Sequence, residues 1–253
     1  MGELSGKVVV ATGVAHGIGK ATALLMARRG ASLALADINE AGMKETAEEC
    51  QRFGVEVKTQ AVDQRSSGQV NDAIDAFARE FGRIDVIANI VGIYPFAFIE
   101  NMTDEFWHNV LQVNLTGIFY WCRAVLPVMK RQQEGCIINV TSGGTAGLGA
   151  YAASKGGLTY FTQQALVAEA GPHGIRVNLV SPGGTDVGDP TTSGPDAEEV
   201  TATITNRMDS MRMTLAAPLE IAEVIAFLAS DRAAKVHGAN YGVNIGGPLG
   251  TSA

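Results

Sequence analysis

Residues 7–37 read KVVVATGVAHGIGKATALLMARRGASLALAD, and this stretch decides the fold. Lys7 to Ala11 is β-branched and apolar at nearly every position, the pattern of a strand covered on both faces. Thr12-Gly13-Val14-Ala15-His16-Gly17-Ile18-Gly19 then forms a glycine-rich turn that opens a helix over Gly17 to Arg29. A second apolar strand, Ser32 to Asp37, follows. Strand, crossover helix and strand predict a parallel βαβ unit.

The alternation continues along the chain. Strands are expected at Val55 to Val62, Ile84 to Asn89, Cys136 to Thr141, Ile175 to Val180 and Asn240 to Val243. Helical spacing runs through Asn39 to Phe53, Ser66 to Phe81, Thr103 to Arg131, Tyr151 to Ala170 and Pro218 to Ser230. The pattern predicts an α/β fold, a doubly wound (Rossmann) parallel sheet with helices on both faces, as a single domain over residues 1–253. Its ligand crevice lies at the carboxyl ends of the strands. One segment departs from this regularity: Gly183 to Leu215 carries Gly184, Gly188, Pro190, Gly194 and Pro195 and little periodicity before about Ala197. It reads as a substrate lid over about 184–215 that contains a short helix, with an ordinary surface loop as the rival reading.

Composition narrows the class. With 46% hydrophobic and 18% charged residues the chain can bury a full core. A net charge of −7 repels a phosphate backbone and argues against nucleic acid as a partner. Cys50, Cys122 and Cys136 are odd in number and lack a CxxC pair, which suggests neither a disulfide framework nor zinc and suits a reducing cytoplasm. The first strand begins too early to leave room for a signal peptide, and no apolar run approaches a membrane span. His16, His108, His173 and His237 lack ligand spacing, so no metal is expected.

The glycine turn has a chemical use. A helix N-terminus offers free N–H groups and partial positive charge to a pyrophosphate, and glycines at Gly13, Gly17 and Gly19 let the backbone approach, with His16 and Ile18 between them. Asp37, eighteen positions beyond Gly19, ends the second strand where a carboxylate accepts the ribose hydroxyls of an adenosine. A solvated Asp capping the next helix is the plainer alternative. An anion at this point favours NAD and repels the 2′-phosphate of NADP; Ile38 and Asn39 follow, and neither supplies a cation. Asp63, with Gln64 after it, suits the adenine edge, although an ordinary turn Asp fits as well. Asn89, Ile90, Val91 and Gly92 place small or apolar groups against the cofactor ribose.

Tyr151 and Lys155 stand four residues apart on one helix face. A lysine cation near a phenol stabilises the phenolate and lowers its pKa, although the YxxxK spacing in isolation usually marks two surface residues.

In its ordered motifs the whole chain resembles the short-chain dehydrogenase/reductase family. TGVAHGIG is similar to the family's TGxxxGxG, NIVG to its NNAG, Asn114 in VNLTG to its catalytic Asn, and Tyr151 with Lys155 to its YxxxK. IRVNLVSPGG and the terminal VNIGG resemble IRVNxxxPG and VDGG, which adds Pro182, Gly183, Gly184 and Thr185 to the expected cofactor contacts. The resemblance implies Tyr151 as general acid or base, Lys155 as ligand of the nicotinamide ribose, and Asn114 as holder of a relay water. It also implies a homotetramer built on the two long helical segments. Ser142 matches the family's substrate-binding serine but lies only nine positions before Tyr151, so the glycine-rich loop between them is shortened and Thr145 is the other candidate. Ile90 and Val91 replace the second Asn and the Ala of NNAG, and Ile245 replaces the terminal Asp. Without that Asn, apolar packing is expected to steady the neighbouring strands.

The resulting expectation is NAD-dependent interconversion of a secondary alcohol and a ketone. Ile93, Tyr94, Phe96 and Leu148 suggest a partly apolar, cyclic or aromatic substrate. The alternatives are a 3-oxoacyl-carrier reductase, against which stands the absence of a basic cluster near the lid apart from Arg207 and Arg212, and a non-catalytic nucleotide-sensing scaffold.

Overall fold

The computed structural model describes residues 2–144, 147–187, 193–210 and 215–243, and for 207–210 the backbone alone. Its strands are β1 (Val8–Thr12), β2 (Ser32–Asp37), β3 (Val57–Ala61), β4 (Val86–Asn89), β5 (Gly135–Val140), β6 (Ile175–Pro182) and β7 (Asn240–Val243). They form one sheet in the order β3-β2-β1-β4-β5-β6-β7, and every neighbouring pair is parallel. The strand order reverses direction between β1 and β4, which opens the crevice.

The continuous apolar runs are explained by cores on both faces. Val9, Ala11, Leu33, Leu35, Val86, Ala88 and Ile138 enter one core, while Val10, Ala34, Ala36, Ile87 and Ile137 enter the other. Alternate residues of a strand point to opposite faces, so a strand buried twice needs an apolar residue at each position. The first core is closed by α1 (Gly17–Arg28), α2 (Glu40–Gln51) and later α9 (Pro218–Ala229); the second by α3 (Ser67–Phe81) and α5 (Ile118–Gln132). Between α3 and α5 lies α4 (Asp104–Leu111); α6 (Gly149–Tyr160), α7 (Val167–Ala170) and α8 (Ala197–Ser210) complete the set among the described residues. No helix among the described residues is long and apolar enough to cross a membrane.

Both long helical segments expected from spacing are present, but neither is a simple α-helix. A π-helical turn, Gln112–Gly117, joins α4 to α5, and a second, Phe161–Leu166, joins α6 to α7. Such turns insert one residue into a helix, and they concentrate at functional sites. The segment after β6 leaves and returns at one place: Ala216 N–H donates to the Gly184 carbonyl at 2.9 Å, and Asp186 N–H donates to the Ala216 carbonyl at 3.0 Å. The helix within it, α8, is 14 residues long rather than short. Its approach is moored to the loop after β4, where Phe96 N–H meets the Ser193 carbonyl at 2.7 Å and Phe98 N–H meets Asp196 Oδ2 at 2.7 Å. Gly188, Pro190 and Arg212 lie outside the described residues, as do the side chain of Arg207 and Ile245 of the terminal motif.

One buried carboxylate fastens the two central strands at their entry. Asp85, 4% exposed, accepts the Val8 N–H at 2.7 Å and a two-pronged contact from the Arg83 guanidinium. Asp85→Ala leaves the Val8 N–H buried and unpaired, and is expected to cost about 1.5–3 kcal/mol in chemical denaturation. A loss below about 0.5 kcal/mol would show that water replaces the carboxylate there.

Candidate active site

The glycine turn is packed too tightly for side chains. A methyl group on Gly19 would lie 1.8 Å from the Gly13 carbonyl oxygen, so only glycine lets the first turn of α1 close against the end of β1. His16 is exposed at the helix start and Ile18 is half-buried. Asp37 is 9% exposed at the end of β2, where Oδ2 accepts the Ala15 N–H at 2.9 Å and Oδ1 the Asn39 N–H at 2.8 Å. The carboxylate thus ties the turn to the second strand and keeps lone pairs for a ligand. Ile38 beside it is 65% exposed.

Across the crevice the loop after β4 carries Val91 and Gly92. The Thr12 hydroxyl accepts the Ile90 N–H at 3.1 Å and the Val91 N–H at 3.5 Å. This steadying was expected from apolar packing; a side-chain oxygen of β1 also supplies it, a contact that spacing alone does not reveal. A methyl on Gly92 would stand 3.3 Å from Lys155 Nζ and 3.5 Å from Asn114 Oδ1. The missing side chain therefore leaves a cradle in front of the lysine that suits a sugar ring. On the far side, Pro182 is buried, Gly183 N–H donates to the Val243 carbonyl at 3.0 Å, and Thr185 Oγ1 donates to the Gly183 carbonyl at 3.1 Å, with Gly184 exposed between them.

The side chains of Asp63, Gln64 and Asn89, three more of the expected cofactor residues, are engaged by the protein. Asp63 is bound by the Arg65 guanidinium at 2.7 Å, which holds its carboxyl below the usual carboxylate range. Gln64 points into the protein, toward Val113 and Trp121. Asn89 donates to Asn139 Oδ1 at 2.8 Å, and Asn139 donates in turn to Thr162 Oγ1 at 3.0 Å, forming a buried link from β4 through β5 to the second π turn.

Asn114, Ser142, Tyr151 and Lys155 converge at the carboxyl ends of β4 and β5. Lys155 is 2% exposed, and its Nζ donates to the Val140 carbonyl at 2.8 Å and lies 5.8 Å from the Tyr151 ring centre. Burial pulls its pKa down to about 8. Burial pushes the Tyr151 phenol the other way, above its ordinary value; the neighbouring Ser142 hydroxyl opposes this and the Tyr94 phenol adds to it. Ser142 Oγ donates to the Pro182 carbonyl at 3.0 Å, so its position directly after β5 brings it to Tyr151 despite the shortened loop. Thr145 lies outside the described residues.

Asn114 sits in the first π turn and acts as a clamp. Its Oδ1 accepts the Ile93 N–H at 2.8 Å, while Nδ2 donates to the Ile93 carbonyl at 2.7 Å and to Ser154 Oγ at 3.2 Å. Ser154 Oγ donates to the Tyr151 carbonyl at 2.7 Å. The amide N–H groups of Asn114 are therefore engaged by protein, and a relay water expected at this residue would need another of its atoms. Ser154 had no signal of its own in the sequence beyond lying between Tyr151 and Lys155.

The pocket wall is aromatic. Tyr94 meets Tyr151 edge-on with ring centres 6.5 Å apart, and Phe96 packs on Tyr94 at the same 6.5 Å. The end of the shortened loop is held by Ala97 N–H on the Gly147 carbonyl at 2.9 Å, and Leu148 pairs with Ala97. Away from the pocket, the three cysteines are buried and burial pushes their thiols up to about 12, 12 and 11, which keeps them protonated.

Comparison with known proteins identifies the family. A family model described as enoyl-(acyl carrier protein) reductase matches residues 13–247. The chain is 36% identical to the 3-oxoacyl-[acyl-carrier-protein] reductase of Thermotoga maritima, over 96% of this chain and 98% of that one. It is 32% identical to the cyclopentanol dehydrogenase of Comamonas sp., over 97% and 98%. The crystal structure of carveol dehydrogenase from Mycobacterium avium in complex with NAD superposes with a TM-score of 0.88 at 26% identity, covering 97% of this chain and 99% of that one. These matches run from the glycine turn through the tyrosine–lysine pair and span almost the full length of each relative: the chain belongs to the short-chain dehydrogenase/reductase family of oxidoreductases.

Proposed function

We propose that this oxidoreductase interconverts a secondary alcohol and a ketone with NAD(H), acting on a partly apolar, cyclic or aromatic substrate. The observation that carries the proposal is the convergence of Ser142, Tyr151 and buried Lys155 at the carboxyl ends of β4 and β5, with the Tyr94–Phe96 wall in front.

The residues present fit a dinucleotide. The N-terminus of α1, with Gly13, Gly17 and Gly19, would hold the pyrophosphate, Asp37 the adenosine ribose, and Lys155 with the cradle at Gly92 the second ribose. When bound, NAD supplies the hydride acceptor of the oxidation. Ser142 turns its O–H from the Pro182 carbonyl to the substrate oxygen and orients it. Tyr151 takes the hydroxyl proton in oxidation and returns it in reduction. Lys155, charged below about pH 8, would stabilise a phenolate on Tyr151. The carveol dehydrogenase complex and the cyclopentanol dehydrogenase relative support a cyclic alcohol; the Thermotoga relative favours a second reading, reduction of a 3-oxoacyl carrier. Assembly as a homotetramer through the segments Thr103 to Arg131 and Tyr151 to Ala170, where Phe119 of α5 and Tyr160 of α6 are 37% and 72% exposed, belongs to the same reading, and sedimentation equilibrium measures it.

Screening cyclic alcohols and acyl thioesters with both nicotinamides tests the proposal directly. A carboxylate facing a phosphate across a few ångströms repels it by several kcal/mol, so kcat/KM should favour NAD over NADP by about 10² or more. Asp37→Ala should erode that preference by raising KM for NAD, and equal use of both cofactors by the parent protein would overturn the role of Asp37. Tyr151→Phe should lower turnover by about 10² to 10⁴ while NADH still binds, as titrated by fluorescence; near-parental turnover would remove Tyr151 from the chemistry.

Burial of Lys155 has a further signature in the protein without cofactor. Below pH 8 both folded and unfolded chains carry the ammonium, and its desolvation weakens the fold. Between about 8 and the ordinary value of 10.5 the unfolded chain binds more protons, so stability should rise with pH, by about 3 kcal/mol over the full window. Lys155→Met should flatten this rise in urea titrations at several pH values; equal slopes in both proteins would place the lysine in water.

A further inference from the structure

Gln64 is 5% exposed, and its carboxamide is used on both sides. Nε2 donates to the Val113 carbonyl at 2.8 Å, and Oε1 accepts the Trp121 indole N–H at 3.2 Å. Val113 belongs to the π turn Gln112–Gly117, and Asn114 is the next residue. A π turn displaces the regular ladder of helix hydrogen bonds, and a side chain entering that ladder is a recognised way of holding such a distortion. The turn also bears down on this side chain: a methyl on Gly117 would come 2.7 Å from Gln64 Cγ. Around this buried pair of bonds, Gln112 Nε2 donates to the Arg65 carbonyl at 3.3 Å and Arg65 Nη1 to Asn109 Oδ1 at 3.2 Å, both at the exposed rim.

We propose that Gln64 is a positioning residue for the catalytic centre, holding the π turn at Val113 so that Asn114 clamps Ile93 and Ser154 beside Tyr151. The side chain must carry a donor on one side and an acceptor on the other. A carboxamide does so at any pH; leucine fills much of the space but leaves the Val113 carbonyl and the Trp121 N–H buried without partners. Gln64 also directly follows Asp63, the expected adenine contact, so two adjacent residues join the far end of the cofactor crevice to the catalytic turn. The role deepens the alcohol–ketone reading above and rests on it for the kinetic readout alone.

Gln64→Leu and Gln64→Glu in the full chain test the role. For Gln64→Leu, kcat should fall about tenfold or more with KM for NAD within about twofold, and amide hydrogen exchange over residues 113–118 should accelerate. Gln64→Glu should be impaired near pH 8, where a carboxylate faces the Val113 carbonyl, and should recover toward the parent's rate at about pH 6, where a protonated carboxyl donates to that carbonyl and accepts from Trp121. The neighbouring Arg65 guanidinium is held by Asp63 and Asn109. Recovery of this kind, absent in Gln64→Leu, supports positioning even if the leucine variant folds poorly. Parental kcat in both variants would overturn the proposal, and so would a lowered Tm with unchanged kcat and unchanged exchange. If the parent turns over no alcohol or ketone, the functional reading fails by itself, and exchange over 113–118 in the leucine variant decides the role of Gln64: faster exchange supports it and unchanged exchange overturns it.

Discussion

A parallel sheet buried on both faces leaves polar side chains almost nowhere to stand except the strand ends. That constraint shapes everything else in this protein. Within β1, β2, β4 and β5 nearly every residue is apolar and buried, and the exceptions gather toward the carboxyl ends: Thr12, Asp37, Asn89, Asn139 and, just beyond β5, Thr141 and Ser142. Because all seven strands run the same way, these ends form one rim. The reversal of strand order between β1 and β4 parts the covering loops there, and helix α1 directs its N-terminus into the gap. Polar side chains are concentrated at the rim because the core excludes them.

The site itself balances opposed desolvation effects. Burial lowers the proton affinity of Lys155 and raises that of Tyr151, so the bare pocket favours a neutral phenol and weakens the hold on the ammonium proton. The Lys155 ammonium keeps one hydrogen bond, to the Val140 carbonyl, and the neighbouring Ser142 hydroxyl counters the push on the phenol. An oxidation needs the reverse arrangement, a phenolate beside a cation, and a bound dinucleotide would add polar and charged groups to the same enclosure. The fold thus tolerates a buried ammonium at a cost in stability, which the role proposed for Lys155 would offset.

Much of this was legible in the sequence, for definite reasons. Period-two burial on two faces leaves an unbroken apolar signature, a glycine turn before a helix has few other uses at that spacing, and ordered motifs along the chain reinforce one another. What escaped was of a different kind. A π turn inserts one residue into a helix without changing its composition, so the run from Thr103 to Arg131 reads as ordinary helix although Asn114 depends on the irregularity. The direction of a side chain is equally hidden: Gln64 follows Asp63 in the chain yet faces into the protein, and Thr12, the first residue of the glycine-rich turn, supplies part of the steadying expected from apolar packing. Asp85 looked like a strand residue and proves to be the fastening of β1 to β4.

The mooring of the segment before α8 to the loop after β4 carries a consequence for how such a pocket can diversify. Ser193 and Asp196 hold the main chain at Phe96 and Phe98, and Asp196 also grips Asn101 at 2.8 Å, while Tyr94 and Phe96 of that same loop build the wall facing Tyr151. Two stretches about a hundred residues apart in the chain are therefore tied together by direct hydrogen bonds. Substitutions in one alter the meaning of substitutions in the other, and their effects should not add. A lineage that changes its substrate by altering the wall must find compatible residues at the mooring, which makes paired exchange of both stretches between relatives a shorter route to a new pocket than stepwise change in either.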